Sequence, residues 1–296
     1  MAARRRGRLP AGAAAQEAAR LRIAVPSKGR LRDPAVELLH DAGLGPETPG
    51  DRALAFPCRD APVEALLVRA DDIPEYLQDG VVDCGITGLD IVRERGADVQ
   101  ELVRLGFGAC TLEAAVQEES PARSLADLRG ARVATSFPRL ARELLPGPIE
   151  LVDVHGSVEL APRLGLADAI VDLVSSGSTL RTNGLRTLGT LLESEAVLIG
   201  PRAPRADALT IAGVFRSVVE ARGMRYLMLN APEASLGEIS ALVPGSRAPS
   251  VLPLAEPGMV AVHSLVRTAD VWRLLPQLEA AGASSILLVP VERMLG

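Results

Sequence analysis

The chain has 296 residues, of which 48% are hydrophobic, 23% charged and 2% aromatic, and its formal net charge is −5. These values predict about two folded domains with a sizeable core, and they argue against basic, base-stacking nucleic-acid modules. No apolar run approaches the length of a membrane span. The three cysteines, Cys58, Cys84 and Cys110, are scattered along the chain, which predicts reduced thiols in a cytoplasmic protein rather than a disulfide frame or a zinc site.

Residues 1–20 are rich in Arg, Ala and Gly and contain no acidic residue before Glu17. We predict a disordered basic extension, with a transit peptide or a nucleic-acid arm as the alternatives.

Strands and helices alternate from Leu21 to about residue 222. The predicted strands are 21–25, 63–68, 81–86, 132–136, 149–154, 169–174 and 195–199. Helices are predicted after Asp33-Pro34, after Asp71–Pro74, after Gly85–Asp90, at 138–145, from Gly156, after Ser175–Thr179 and at 208–222. Uniformly apolar strands in this alternation are typical of a parallel sheet covered on both faces. We therefore predict an α/β fold with two lobes, 21–110 and 111–200, the first completed by segments near 195–222, with a cleft between them.

The remaining residues, 223–296, show a different order. Strands are predicted at 226–230, 250–254, 259–266 and 285–291, with helices at 236–242 and 269–281. This βαββαβ order is the ferredoxin-like arrangement. Small domains of this shape often bind amino acids, although the fold alone does not establish that function.

The turn that follows the strand at 169–174 has the composition of a phosphate site. Asp172 lies within the strand, and Ser175, Ser176, Gly177, Ser178 and Thr179 follow it before a helix. Backbone N–H groups, hydroxyl donors and a missing Cβ suit a phosphate group. The alternative is an ordinary polar turn with a serine helix cap, and the sequence leaves both open.

The turn after the first strand contains Lys28, Gly29 and Arg30. Lys28 is the single lysine of the chain, whereas every other non-histidine basic side chain is Arg. A compact ammonium and a planar guanidinium are not interchangeable at an anion, which favours a specific role for Lys28. A basic loop in solvent is the alternative.

Three further groups are candidates for the cleft. Arg69 with Asp72 follows the second strand, and Asp90 ends the stretch GITGLD at 85–90. For both stretches a capped helix or a tight turn is the alternative. Glu159, after Gly156-Ser157, would either cap a helix or face ribose hydroxyls or Mg²⁺.

From Leu21 onward the chain resembles the long form of ATP phosphoribosyltransferase, the first enzyme of histidine biosynthesis. The stretches that carry the resemblance are PSKGRL at 26–31, VRADDIPEYL at 68–77, DCGITGLDIV at 83–92 and GSVELAPRLGLADAIVDLVSSGSTLRTNGL at 156–185, with YLMLN, LVPGSRAPSVLPL and GASSIL in the C-terminal part. The resemblance implies a type IV phosphoribosyltransferase built on two periplasmic-binding-protein-like lobes. It also implies Mg²⁺, and transfer of the phosphoribosyl group of phosphoribosyl pyrophosphate (PRPP) to N1 of ATP.

The resemblance also implies roles for individual residues. Asp172 and the loop Ser175–Thr179 would hold PRPP, with Lys28, Glu159 and Asp172 as the catalytic group. The nucleotide and pyrophosphate side would comprise Lys28, Gly29, Arg30, Arg69, Asp72 and Asp90. Asn230, Ser250 and Leu254 would bind histidine, the feedback inhibitor, and dimers would assemble into hexamers.

The chain departs from the family pattern at Ser176, where many members have Thr, and at Gly200-Pro201, where a polar ending is more usual. Two other functions remain as alternatives. A prephenate dehydratase has the same lobe and sensor arrangement but requires no phosphate loop. A non-catalytic sensor of a small ligand would not need the charges at Lys28, Glu159 and Asp172.

Overall fold

The computed structural model describes residues 20–45, 54–58, 61–154, 156–175, 177–245 and 247–295. Apart from Arg20, the predicted basic extension lies outside the described residues. The chain divides after Ala212 into two compact units. Among the described residues, no helix combines the length and the apolar character that crossing a membrane requires.

The first unit contains eleven described strands and five complete described α-helices. The strands are β1 (Leu21–Pro26), β2 (Ala55–Pro57), β3 (Val63–Val68), β4 (Cys84–Gly88), β5 (Val99–Arg104), β6 (Cys110–Gln117), β7 (Arg132–Thr135), β8 (Glu150–Asp153), β9 (Ala169–Val174), β10 (Leu185–Ser194) and β11 (Ala196–Pro201). The helices are α1 (Arg32–Asp41), α2 (Ile73–Gln78), α3 (Leu89–Arg95), α4 (Pro138–Leu144) and α5 (Ser178–Thr182), and a longer helix, α6 (Ala206–Arg222), follows.

The first sheet has the strand order β2-β3-β1-β4-β11-β5. Its centre is parallel, because β3 and β4 both run alongside β1 in the same direction. Ile23, Ala24 and Val25 of β1 are 0% exposed, as expected for a central strand covered on both faces. The sheet as a whole is mixed, because β11 pairs antiparallel with both β4 and β5.

The second sheet has the order β10-β6-β9-β7-β8, with β7, β8 and β9 parallel and with β6 and β10 antiparallel to their neighbours. Apolar clusters lie on both of its faces: Leu112 and Val171 belong to one cluster, and Ala115 and Ile170 to the other. Each sheet with its helices forms a lobe, and the predicted α/β fold class is confirmed.

Two segments cross between the lobes. One joins β5 to β6 through residues 105–109, and the other runs from Ser194, the last residue of β10, through Glu195 to β11. They are hydrogen-bonded to each other, since Leu105 N donates to Ala196 O and Ala196 N donates to Phe107 O. In the part of the chain that the structure describes, the covalent connections between the two lobes therefore run through one paired ribbon.

Asp90 lies beside this ribbon and is 1% exposed. Its Oδ1 accepts a hydrogen bond from Ser194 Oγ at 2.6 Å and lies 3.6 Å from Arg30 Nη2. Arg30 Nη1 in turn donates to the carbonyl of Gly108. One buried carboxylate thus connects the start of α3, the turn after β1 and both crossing segments.

Several helices and strands begin or end at residues other than those predicted. Helix α1 begins at Arg32, so Asp33 and Pro34, which were predicted to precede the helix, lie within its first turn. Gly85 to Gly88 continue strand β4 instead of forming a turn. A Cβ at Gly85 would collide with Cγ2 of Ile73, which explains why the strand carries glycine there. Strands β2, β5, β6 and β10 were not predicted.

The second unit contains β12 (Met224–Pro232), α7 (Leu236–Leu242), β13 (Ser250–Pro253), β14 (Met259–Arg267), α8 (Val271–Ala280) and β15 (Ser284–Pro290). The strand order is β13-β14-β12-β15, and every pairing is antiparallel. Leu227, Leu229 and Val262 pack with Ile239 and Leu278 of the two helices on one face. The predicted βαββαβ arrangement is confirmed.

We expect Asp90→Asn to lower the free energy of unfolding by about 1–3 kcal/mol, because the amide leaves a buried polar group without its partner and removes the charge that faces Arg30. The matched control is Asp98→Asn, whose ion pair with Arg202 is exposed and should contribute less than about 1 kcal/mol. Urea unfolding followed by circular dichroism measures both. Equal losses in the two variants would contradict the structural role of Asp90.

Candidate active site at the cleft between the lobes

The carboxyl ends of the parallel strands of both lobes meet at the cleft, where α/β proteins bind ligands. The larger cavity there has a volume of about 790 Å³. Arg69, Asp72 and Glu94 line it from the first lobe, and Ser136 and Asp153 from the second. The cavity therefore presents charged groups of both signs.

A smaller cavity of about 390 Å³ lies where the ribbon enters the second lobe. Thr111, Ser175, Glu193 and Ser194 line it together with Arg104. Since Ser175 is the first residue of the predicted phosphate loop, that loop opens onto the cleft beside the crossing segments.

The predicted phosphate loop follows β9 directly. Ser175, Ser178 and Thr179 are exposed, and the last two begin α5. Gly177 has φ 67°, a left-handed conformation that glycine adopts without strain. A Cβ there would lie 3.2 Å from Arg181 Nη1. Ser176, also predicted for this loop, lies outside the described residues.

Asp172 lies half-buried within β9, three residues before the loop. Burial raises the pKa of its carboxyl, the hydrogen bond from Leu173 N opposes that shift, and the negative charge of Glu159 adds to it. Glu113 of β6 is directly opposite Asp172 in the antiparallel register, so both side chains lie on one face of the sheet. The structure thus brings Asp172 and Glu159 together and adds Glu113, which the sequence analysis missed.

Glu159 itself is half-buried in a short 3₁₀ turn, 158–160. Ser157, just before it, has φ 48°, which is uncommon for a residue with a side chain and recurs at functional sites. No side chain caps this turn.

The two cations in the turn after β1, Lys28 and Arg30, have different surroundings. Lys28 is exposed, and nothing lies within 4 Å of a Cβ placed on Gly29, which has φ 80°. Arg30, by contrast, bonds to Gly108 O and faces Asp90. The predicted roles of Arg30 and Asp90 at the nucleotide stay predictions. In this structure both residues contact the crossing ribbon.

Arg69 is exposed and Asp72 half-buried, and both line the larger cavity. Asp72 occupies the N-cap position of α2, yet its side chain makes no capping hydrogen bond. The helix-cap alternative that the sequence left open therefore has no support in the geometry of Asp72.

In the second unit, Asn230 and Ser250 lie on the sheet face that α7 and α8 leave open. Asn230 is opposite Ala261 and Ser250 is opposite His263 in the strand register. Tyr226, on the same face, contacts Nδ1 of His263 through its hydroxyl at 3.3 Å. Leu254 follows β13. Strand β14 therefore separates Asn230 on β12 from Ser250 and Leu254. The Tyr226–His263 pair was not foreseen.

No group of three or more His, Cys, Asp or Glu side chains arranged for a metal ion is found among the described residues. Mg²⁺ commonly binds one or two carboxylates, several waters and substrate phosphates. The neighbouring carboxylates of Glu159 and Asp172 fit that mode of binding, in which the substrate supplies the other ligands.

We expect Asp172→Asn to raise the free energy of unfolding at neutral pH while impairing function. The raised pKa means that the folded chain retains the proton more readily than the unfolded chain, so ionisation costs stability as the pH rises through the folded-state pKa. The amide removes that cost. The gain should shrink as the pH falls from neutral to about 4, near the unfolded-state pKa. Urea titrations across this range measure it, and a gain independent of pH would contradict the linkage.

Comparison with known proteins gives consistent results. The family model described as ATP phosphoribosyltransferase matches residues 69–218, and the model of the C-terminal domain of the same family matches residues 221–293. ATP phosphoribosyltransferases from Halobacterium salinarum and Gemmatimonas aurantiaca are each 43% identical, over 93% of this chain and 99% of the relative. An ATP phosphoribosyl transferase (HisG:HisZ) complex from Thermotoga maritima matches with a TM-score of 0.58 and 26% identity, over 68% of this chain and 98% of that one.

The two family models match parts of both units and include the loop after β9 and the βαββαβ sheet, and the relatives cover 93% of the chain. They favour neither a prephenate dehydratase nor a non-catalytic sensor. The chain belongs to the ATP phosphoribosyltransferase family, whose members catalyse the first step of histidine biosynthesis.

Proposed function

We propose that the protein transfers the phosphoribosyl group of PRPP to N1 of the adenine of ATP, in a Mg²⁺-dependent reaction that histidine inhibits. The observation that carries the proposal is the hydroxyl-rich turn after β9, which opens onto the cleft beside the half-buried Asp172. The assignment of catalysis to residues 21–200 and of regulation to residues 223–296 is part of the same proposal.

The 5′-phosphate of PRPP would occupy the turn Ser175–Thr179. Exposed hydroxyls at Ser175, Ser178 and Thr179 supply donors there, and Gly177 lets the backbone approach the ligand. Asp172 and Glu159, whose negative charge helps to raise the pKa of Asp172, would face the ribose.

The reaction breaks the bond between C1 of the ribose and the pyrophosphate oxygen, which keeps the electron pair, and forms a bond from adenine N1 to C1. Positive charge develops on the ribose in the transition state. A carboxylate whose ionisation is disfavoured by burial, as at Asp172, is stabilised by that developing charge. Adenine N1 already has a free lone pair, so the work is positioning and charge stabilisation rather than strong base catalysis.

The first lobe would bind the pyrophosphate and the nucleotide. Lys28 and Arg69 are exposed cations at its strand ends, and Asp72 lines the same cavity as Arg69. Arg30 would join them by leaving the carbonyl of Gly108, and Asp90 would act through Arg30. Mg²⁺, arriving on the pyrophosphate, would neutralise the charge of the leaving group.

Histidine would bind the open sheet face of the second unit at Asn230, Ser250 and Leu254. The amide, the hydroxyl and nearby strand-edge groups offer donors and acceptors for its carboxylate and ammonium. The neighbouring structure from Thermotoga maritima contains a separate HisZ component, whereas the present chain carries a match to the family's own C-terminal domain. We therefore assign regulation to this chain and include its homo-oligomeric assembly, from dimers to hexamers, in the proposal.

A cytoplasmic location is part of the proposal, and the three free, buried cysteines support it.

The direct test is an ultraviolet assay with ATP, PRPP, Mg²⁺ and pyrophosphatase, with and without histidine. Alkylation at N1 changes the adenine chromophore, so the product is observed directly. We expect a signal that requires PRPP and Mg²⁺ and that histidine suppresses. A signal indifferent to histidine would remove the regulatory part, and a folded protein without any signal would refute the proposed reaction.

We expect Gly177→Ala to raise the Kd for PRPP at least about tenfold, because the added Cβ enters the phosphate turn. Gly130→Ala is the matched control: Gly130 also has a positive φ, 76°, so the backbone penalty is similar, but nothing lies within 4 Å of its Cβ position. Calorimetric titration with PRPP measures both variants. An unchanged Kd in Gly177→Ala would show that the turn does not bind the phosphate.

A further inference from the structure

Glu94, near the end of α3 in the first lobe, bonds to the start of α4 in the second lobe. Its Oε1 accepts from Arg139 N at 3.0 Å, and its Oε2 accepts from Leu140 N at 2.9 Å. Both carboxylate oxygens are therefore used on two consecutive backbone amides. The residue before α4, Phe137, makes no side-chain cap, so the first turn of α4 depends on a carboxylate from the other lobe.

A second contact runs in the opposite direction. Helix α3 ends at Gly96, which has φ 58°. The guanidinium of Arg139 occupies the space that a Cβ at Gly96 would fill. Each helix thus supplies one side chain to the end of the other, and this pair of contacts joins the lobes outside the crossing ribbon.

Helix α3 spans the distance between the ribbon and this contact. Its first turn holds Asp90, which contacts Ser194 of the ribbon, and its last turn holds Glu94. Ile91 and Glu94 of α3 line the larger cavity together with Phe137 and Pro138 of the α4 region. The angle between the lobes therefore depends on how α3 is fixed at both ends.

We propose that Glu94 is a positioning residue, which holds the two lobes at the angle at which a substrate bound on one lobe meets a substrate bound on the other. The kinetic part rests on the proposed function, which places PRPP on the second lobe and the nucleotide on the first. Reacting atoms must approach to about 3–3.5 Å, and a misplacement of about 1 Å can cost about 100-fold in rate.

The test compares Glu94→Gln with Glu143→Gln. The amide at 94 keeps one acceptor but turns an NH₂ group towards a backbone N–H, so one bond is lost. Glu143 is exposed on α4 and undergoes the same chemical change, and among the described residues its side chain has no hydrogen bond or ion pair to the first lobe. Both variants are made in the full chain. Glu94→Asp, which keeps the charge on a shorter side chain, replaces Glu94→Gln if that variant does not fold.

The first measurement is the distance between the lobes without any substrate. Labels on cysteines introduced by Glu75→Cys on α2 and Arg163→Cys in the second lobe report it, since both positions are exposed. The native thiols of Cys58, Cys84 and Cys110 are buried, and burial raises their pKa, which limits labelling. We expect Glu94→Gln to shift or broaden the distance distribution and Glu143→Gln to leave it as in the parent.

The second measurement is turnover of ATP and PRPP. We expect kcat/KM to fall about 10- to 100-fold in Glu94→Gln and to stay within about twofold in Glu143→Gln. An unchanged distance distribution in Glu94→Gln overturns the proposal, and so does a changed distribution with parental kinetics. If the parent turns over neither substrate, the proposed function fails, while the distance measurement still decides whether Glu94 fixes the lobes.

Discussion

The buried carboxylate of Asp90 is the interaction on which the two-lobed unit depends. Burying a charge is unfavourable unless partners compensate it, and here a hydroxyl from one crossing segment and a guanidinium from the turn after β1 do so. Arg30 extends the network to Gly108 on the other segment. The turn that carries Lys28 and the start of α3 are therefore both fixed in position relative to the crossing ribbon.

The cleft combines cations with carboxylates, although both proposed substrates are anionic. The first lobe contributes Lys28 and Arg69 together with the acidic Asp72, whereas the second contributes the carboxylates Asp172, Glu159 and Glu113. The cations suit the leaving pyrophosphate, and the carboxylates of the second lobe suit the positive charge that develops on the ribose. Burial of Asp172 next to another carboxylate lowers the stability of the folded chain and prepares the site for that charge.

Local patterns in the sequence were sufficient for much of the fold. The strands Val63–Val68 and Ala169–Val174 and the helix Leu236–Leu242 have the predicted bounds, because each is a short apolar or amphipathic run between turn residues. Strands β6 and β10 were not predicted. They pair with each other across about 75 residues, and bulges interrupt their register, so no local signal marks them. The loop after β9 was located from its composition, but the burial of Asp90 and the capping by Glu94 depend on contacts between distant parts of the chain.

Helix α3 shows why such contacts matter for function. Its seven residues extend about 10 Å, so a small change at either end turns one lobe against the other. At one end Asp90 is buried, so breaking its hydrogen bond would leave a polar group without a partner and would lower the stability of the fold. At the other end Glu94, which accepts hydrogen bonds from two backbone amides, lines the larger cavity. The first contact therefore suits a permanent joint, whereas the second lies at the cavity, where it can set the angle between the lobes. A unit with one fixed and one accessible contact can change its lobe angle without losing its fold.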